Sequence, residues 1–68
     1  MSISARNQLR GTILSIRTDG LMAEVTMDIG TGQMLVALIT RASAEALSLR
    51  QGDQVRAIIK STEVMVEK

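Results

Sequence analysis

The 68-residue chain contains no Cys, His, aromatic residue or Pro. Without Cys it forms no disulfide, and without Cys and His it lacks the ligand sets of structural zinc sites. The missing His also removes the usual base that activates a serine or threonine nucleophile. Bases stack on aromatic side chains when a protein binds a single-stranded nucleic acid, so that function is disfavoured too. These absences favour binding over catalysis and predict that the protein is not an enzyme.

The length predicts one small domain over residues 1–68. A core of this size is marginally stable by itself, and small domains compensate with disulfides, a metal or oligomerisation. The first two have no suitable residues here. Hydrophobic residues make up 46% of the chain, all of them aliphatic or Met, which is more than one small barrel needs. We therefore expect an obligate oligomer.

The charge is nearly balanced, with eight Lys and Arg against seven Asp and Glu. Such a balance predicts neither a strongly basic nucleic-acid surface nor a polybasic membrane anchor. No apolar run approaches the roughly 20 residues that span a bilayer, and the first residues do not resemble a signal peptide. We expect a cytoplasmic protein without nucleic-acid or membrane partners.

Most of the chain has the pattern of β-strands, separated by turns at 19–20, 30–32, 50–53 and 60–62. Apolar and polar residues alternate over 21–29, 54–60 and 63–67, as in strands with one buried face. The strand expected over Gln8–Arg17 has apolar residues on both faces. Met34–Ile39 is apolar throughout, which predicts one face in the core and the other against a neighbouring subunit.

One segment differs from the strands. Residues Arg41–Leu47 are rich in Ala and follow Thr40, a good N-cap, so we expect a helix of about two turns. Five strands with a short helix between the third and fourth is the order of an OB (oligonucleotide/oligosaccharide-binding) barrel. The predicted fold is an all-β, five-stranded, OB-like antiparallel barrel.

Hydrogen-bond donors lie at the ends of the predicted strands. A deprotonated tetrahedral dianion offers only acceptors, so its pocket needs hydroxyl, ammonium, guanidinium and backbone N–H groups. The start of the short helix would add free N–H groups. Each side chain also has an ordinary interpretation as a helix cap or a solvated charge. The candidates are Ser4, Arg6, Thr40, Ser43, Lys60 and Ser61.

The acidic residues suggest no second kind of site. The seven carboxylates are scattered over turns and outward strand positions, where Asp and Glu are ordinarily solvated. The segment Asp28–Gln33 has one carboxylate, whereas a calcium loop needs several oxygen ligands at alternate positions. A hairpin turn explains this segment better.

Four blocks of the sequence resemble the molbindins, small molybdate-binding proteins related to the transport-associated TOBE domains. Residues 2–9 are similar to the S-x-R-N-x-L opening of that family. Residues 36–47 resemble its A-x-I-T-x-x-S-x-x-x-L segment, and residues 49–55 its L-x-x-G-D-x-V turn. Residues 59–64 match its closing K-[AS]-[ST]-[DE]-V run. The blocks occur in the family's order and cover nearly the whole chain.

The resemblance implies an OB-like barrel assembled as a homohexamer, a trimer of dimers. It also implies that molybdate, or tungstate as a near-isostere, binds at subunit interfaces without a covalent cofactor. Carried over by position, the family's pocket falls on the six donor residues named above. Backbone N–H groups at Ala5 and Ala42 are expected to complete it.

One position departs from the family, since Ser61 stands where relatives often have Ala. Because the chain starts with Met1 and carries no other domain, a free-standing protein that stores or buffers the oxyanion is expected. Two other hypotheses remain open from the residues alone: an OB-fold module that binds nucleic acid, and an oligomerisation domain without a ligand.

Overall fold

The computed structural model describes residues 5–68 and consists mainly of antiparallel strands. The elements are β1 (Asn7–Asp19), β2 (Met22–Gly30), β3 (Gln33–Thr40), α1 (Arg41–Ala46), β4 (Gln54–Ile59) and a 3₁₀ turn (Ser61–Glu63). The strands pair in the order β3-β2-β1-β4, and every pairing is antiparallel. The short helix α1 follows β3, and the 3₁₀ turn follows β4.

The two hairpins form where the sequence predicts turns. Gly20 lies between β1 and β2 with φ of 60°. Between β2 and β3, Thr31 and Gly32 both have positive φ, 52° and 74°. Two left-handed residues in succession are typical of the type I′ turn, whose twist suits a two-residue hairpin. Both hairpins connect antiparallel neighbours, so the turns predicted at 19–20 and 30–32 are confirmed.

The long strand β1 joins the two halves of the sheet. Its first half pairs with β4 and its second half with β2, and Thr12 has a partner on both sides, Gln54 and Asp28. The register with β2 shifts between Ile13 and Ser15. Such a bulge adds one residue to a strand and changes which side chains face inward. The bulge explains why apolar residues of β1 occur on both faces.

The helix forms as predicted, one residue shorter at its end. Thr40 is the N-cap, and its side chain accepts a hydrogen bond from the backbone N–H of Ser43. Ala44 is the buried residue of α1. Beyond the end of the helix, the Leu49 N–H donates to the Ala44 carbonyl at 3.1 Å. The cap and this bond fix the helix at the end of β3.

The core is small and aliphatic. Ile13, Val25 and Met27 are at most 5% exposed, and Ala57 joins them from β4. Beside the core lies an open apolar groove of about 710 Å³. Both edge strands of the sheet line it with half-buried side chains. They are Leu35, Ala37 and Ile39 of β3, and Val55 and Ile59 of β4.

The expectation of five strands is wrong for the described part of the chain, which contains four. The fifth strand was predicted over 63–67, but Glu63 ends the 3₁₀ turn and residues 64–68 follow it without strand pairing. Met65 and Val66 are 94% and 92% exposed. An alternating pattern makes a strand only where a neighbouring edge receives it, and this segment does not lie in the groove between β3 and β4. Leu21, also expected on the buried face, lies in the first turn and is exposed.

Strand β3 has two apolar faces, as the sequence predicts. Its inner side chains face the groove, whereas Met34, Val36 and Leu38 are 60–66% exposed. We call these three residues the outer row. An exposed row of large aliphatic side chains on an edge strand is a feature that soluble monomers avoid.

Candidate anion-binding residues

The candidate residues form two groups in the structure. Thr40 and Ser43 form the first, at the end of β3 and in the first turn of α1. Ala5, Arg6, Lys60 and Ser61 form the second, next to the first residue of β1 and the last of β4. We call the first the Thr–Ser pair and the second the basic group. Ser4 lies outside the described residues.

The Thr–Ser pair is held together by hydrogen bonds between its two residues. The Thr40 Oγ1 donates to Ser43 Oγ at 2.7 Å and accepts from the Ser43 backbone N–H at 3.1 Å. A hydroxyl has one proton to donate. The Ser43 hydroxyl therefore keeps its proton for an external acceptor, and both side chains are exposed.

The backbone adds one more donor to this group. The N–H groups in the first turn of a helix have no partner within the helix. The Arg41 N–H donates to the Leu21 carbonyl at 2.7 Å, and the Ser43 N–H is used by the cap. That leaves Ala42, whose exposed position suits the backbone role expected of it.

The basic group follows from the pairing of β1 with β4. Asn7 is opposite Ile59 in that ladder. Arg6 precedes Asn7 and Lys60 follows Ile59, so the two cations flank the same end of the strand pair. Both are exposed. Ser61 opens the 3₁₀ turn directly after Lys60.

The two groups lie at opposite ends of β1 within one chain. The basic group adjoins Asn7, where β1 begins. The Thr–Ser pair contains Thr40, which pairs with Met22. Met22 in turn pairs with Asp19, where β1 ends. A strand rises about 3.3 Å per residue, so the 13 residues of β1 separate the groups in register. The fold brings Thr40 to Ser43 and Arg6 to Lys60, but does not place all of the candidates in one pocket.

The chemistry of both groups is that of donors. Hydroxyl, ammonium, guanidinium and backbone N–H groups are present, and neither group includes a carboxylate. Among residues 5–68, no cluster of three acidic side chains is placed to hold a metal ion. No helix in the same range is long and apolar enough to cross a bilayer. The arrangement suits a small anion that accepts hydrogen bonds on all sides.

The sequence pattern of the TOBE domain matches residues 3–66. A probable molybdenum-pterin-binding protein of Haemophilus influenzae is 46% identical over 66 residues, which cover 97% of this chain and 96% of that protein. A solved molybdate-binding protein from Sporomusa ovata superimposes with a TM-score of 0.94, at 44% identity over the full length of both chains.

A second solved structure is that of the cytoplasmic molybdate-binding protein ModG with molybdate bound. It superimposes with a TM-score of 0.85 at 34% identity. The match covers 90% of this chain and 43% of ModG. The resemblance stated from the four sequence blocks is confirmed by these similarities.

Proposed function

The chain belongs to the TOBE domain family, and from that premise we propose that it binds molybdate as an intact oxyanion. Tungstate, a dianion of the same shape, is expected to bind in the same way. The protein would hold the oxyanion at subunit interfaces of a homo-oligomer in the cytoplasm and so store or buffer it. The observation that carries the proposal is the pair of donor groups at opposite ends of β1.

The donor chemistry supports an oxyanion. A tetrahedral dianion accepts hydrogen bonds at every oxygen, and charged donors bind it more strongly than neutral ones. Arg6 and Lys60 would supply the positive charge, while Ser43 and Ser61 would supply hydroxyl protons. Thr40 would act by fixing Ser43. Ser4 and the N–H groups of Ala5 and Ala42 would complete the shell.

The separation of the groups supports a site between subunits. A small anion contacts donors only within about 3 Å, so it cannot bridge the two ends of β1. A second copy that presents its basic group to the Thr–Ser pair of the first copy would complete one pocket. Symmetry would form an equivalent pocket elsewhere in the same assembly.

The open groove supports the same conclusion. It lies between the edges of β3 and β4, where a fifth strand would close an OB-like barrel, while residues 64–68 lie exposed. We propose that this segment of a second copy fills the groove, so that barrel closure and oligomerisation are one event. The outer row of β3 would then be covered in the higher assembly, the proposed homohexamer built as a trimer of dimers.

Titration calorimetry with molybdate tests the proposal, with sulfate and phosphate as controls and the mass of the oligomer recorded in parallel. We expect saturable binding of molybdate and tungstate and an oligomer that tightens with ligand, because a ligand bound only by the assembly favours it. Absence of binding by either oxyanion would refute the function.

A substitution pair tests the site. Lys60→Ala removes a charged donor, so we expect roughly 10- to 100-fold weaker molybdate binding with the fold retained. Arg50→Ala removes a positive charge at an exposed position in the turn before β4, outside the site and outside residues 64–68, and should leave the affinity unchanged. Equal affinity in the two variants would remove Lys60 from the pocket.

A further inference from the structure

A second pocket lies beside helix α1, between the second half of β1 and the segment that links α1 to β4. Its volume is about 330 Å³, which is within the range of small-molecule sites, about 300–1,000 Å³. We call it the α1 pocket. Its polar lining residues are Thr18, Arg41, Glu45, Ser48 and Arg50.

The α1 pocket is separate from the candidate molybdate donors. Arg41 and Ser43 are two residues apart in α1, and side chains at that spacing do not face each other on a helix. Arg41 shares its face with Ala44 and Glu45, three and four residues further on, and all three line the pocket. Among residues 5–68, no member of the Thr–Ser pair or of the basic group lines it.

Two arginines approach the α1 pocket from different elements. Both side chains are exposed, and the backbone of each residue is fixed by a hydrogen bond. The Arg41 N–H donates to the Leu21 carbonyl at 2.7 Å, and the Arg50 N–H donates to the Asp53 carboxylate at 2.9 Å. Two positive charges at one pocket repel each other unless an anion lies between them. Guanidinium groups also form strong, forked hydrogen bonds with oxyanions.

A serine with an unfavourable backbone conformation lies at the rim. Ser48 has a φ of 52°, and its N–H donates to the Glu45 carbonyl at 3.0 Å where α1 ends. Glycine is favoured at such a position. Of the six residues with positive φ in the described range, four are glycine, and Thr31 and Ser48 are the exceptions. Such an outlier suggests a use for the side chain, and here the Ser48 hydroxyl joins that of Thr18 in the pocket.

The remaining lining residues restrict the kind of anion. Glu45 is the one acidic residue of the lining, so a bare oxyanion would meet a negative charge. A ligand with hydroxyl or amino groups would instead donate hydrogen bonds to this carboxylate. Ala44 is 7% exposed and Leu49 is half-buried, and they give the pocket an apolar floor. The ligand therefore needs an anionic group, hydrogen-bond donors and a partly apolar body.

We propose that the α1 pocket binds a phosphate monoester of the nucleoside monophosphate class. The phosphate lies between Arg41 and Arg50 and accepts further hydrogen bonds from the Ser48 and Thr18 hydroxyls. Glu45 accepts from a hydroxyl or amino group of the ligand, whose body rests on the apolar floor. Four donor side chains match the three terminal oxygens of a phosphate better than the two of a carboxylate.

Titration calorimetry on the molybdate-saturated protein tests this site, with adenosine monophosphate and uridine monophosphate as probes. We expect saturable binding of at least one nucleotide, with little heat from adenosine, uridine or inorganic phosphate. No binding of either nucleotide, or binding of inorganic phosphate as tight as that of both, would overturn the proposal.

The same titrations without molybdate separate this proposal from the storage function. We expect the same nucleotide affinity, because the two sites share no side chain. A protein that binds a nucleotide but no molybdate would refute the storage function alone. The reverse result would refute the α1 pocket alone.

A charge substitution tests the phosphate position. Arg41→Gln keeps most of the side-chain length and removes the charge, so we expect about tenfold weaker nucleotide binding. The control, Arg17→Gln, removes an exposed charge beside Thr18 on the opposite face of β1 and should leave the affinity unchanged. Equal affinities in the two variants would refute the role of Arg41.

A glycine substitution tests the rim serine. Ser48→Gly removes the hydroxyl but suits the left-handed backbone, so nucleotide binding should weaken about fivefold without loss of stability in urea unfolding. Thr31→Gly is the matched control, since it makes the same kind of change in the second hairpin turn, outside the pocket. It should leave nucleotide binding unchanged. Unweakened binding in Ser48→Gly would show that this hydroxyl does not contact the ligand.

Discussion

The aliphatic residues of this protein form two sets, one buried in the core and one exposed. Ile13, Val25 and Met27 are at most 5% exposed, while the outer row of β3 and residues Met65 and Val66 are 60–94% exposed. The two sets are chemically alike, and both occur in segments with the sequence pattern of a strand. What separates them is whether this chain alone supplies the opposing surface. The first set stabilises the protomer, and the second is available to a neighbouring copy.

Truncation in the core should have the largest effect on folding. Ile13→Ala leaves a cavity beneath the sheet, and we expect the free energy of unfolding to fall by about 4 kcal/mol. Urea unfolding at one fixed protomer concentration measures it, since assembly contributes to apparent stability. The matched control is Val36→Ala in the outer row. Similar losses in the two variants would remove the distinction between the sets.

The second effect concerns the close contact between β1 and β2 at Gly11. A Cβ on Gly11 would lie 3.0 Å from the backbone carbonyl oxygen of Asp28, which cannot move freely within the sheet. Gly11→Ala should therefore lower the free energy of unfolding by about 2 kcal/mol. Thermal or urea unfolding checks this, with Ser15→Ala as an exposed control on the same strand. An unchanged midpoint would contradict such close packing of β1 and β2.

The third effect concerns the N-terminus of helix α1, which directly follows β3. Thr40→Ala removes the N-cap bond to Ser43, and the expected loss is about 1 kcal/mol. It should also weaken molybdate binding, because Ser43 loses the bond that positions it. Thr40→Ser keeps the hydroxyl and should restore both properties. Full stability in the alanine variant would show that the cap contributes little.

The smallest effect on protomer folding is expected in the outer row. Leu38→Ser changes an exposed side chain, so the free energy of unfolding of the protomer should change by less than about 0.5 kcal/mol. The mass measured by sedimentation over a range of concentrations should nevertheless fall. A variant with unchanged mass would show that this row is not an interface.

Much of the fold was predictable because the signals are local. Glycine at the turns, alternation along β2 and β4 and the cap at Thr40 each depend on residues within a few positions of one another. The bulge at Ile13–Ser15 was not recognisable, since apolar residues on both faces also suit a strand buried on both sides. The fifth strand was predicted where the structure has none, because alternation reports a preference and does not report the presence of an edge to pair with.

The candidate site shows the same division. Thr40 and Ser43 are three residues apart and could be linked from the sequence as a cap. The proximity of Arg6 to Lys60 depends on the pairing of Asn7 with Ile59, which connects positions far apart in the chain. Spacing alone could not reveal that these pairs lie at opposite ends of β1.

The all-β character, the turn positions, the helix start and the donor chemistry of the candidate residues could be predicted from the sequence, because they follow from local conformational preference and side-chain chemistry. The separation of the two donor groups along β1 and the open apolar groove beside an exposed C-terminal segment became visible in the three-dimensional structure. Those relations depend on strand register and on how the sheet places its edges, and both are set by long-range pairing.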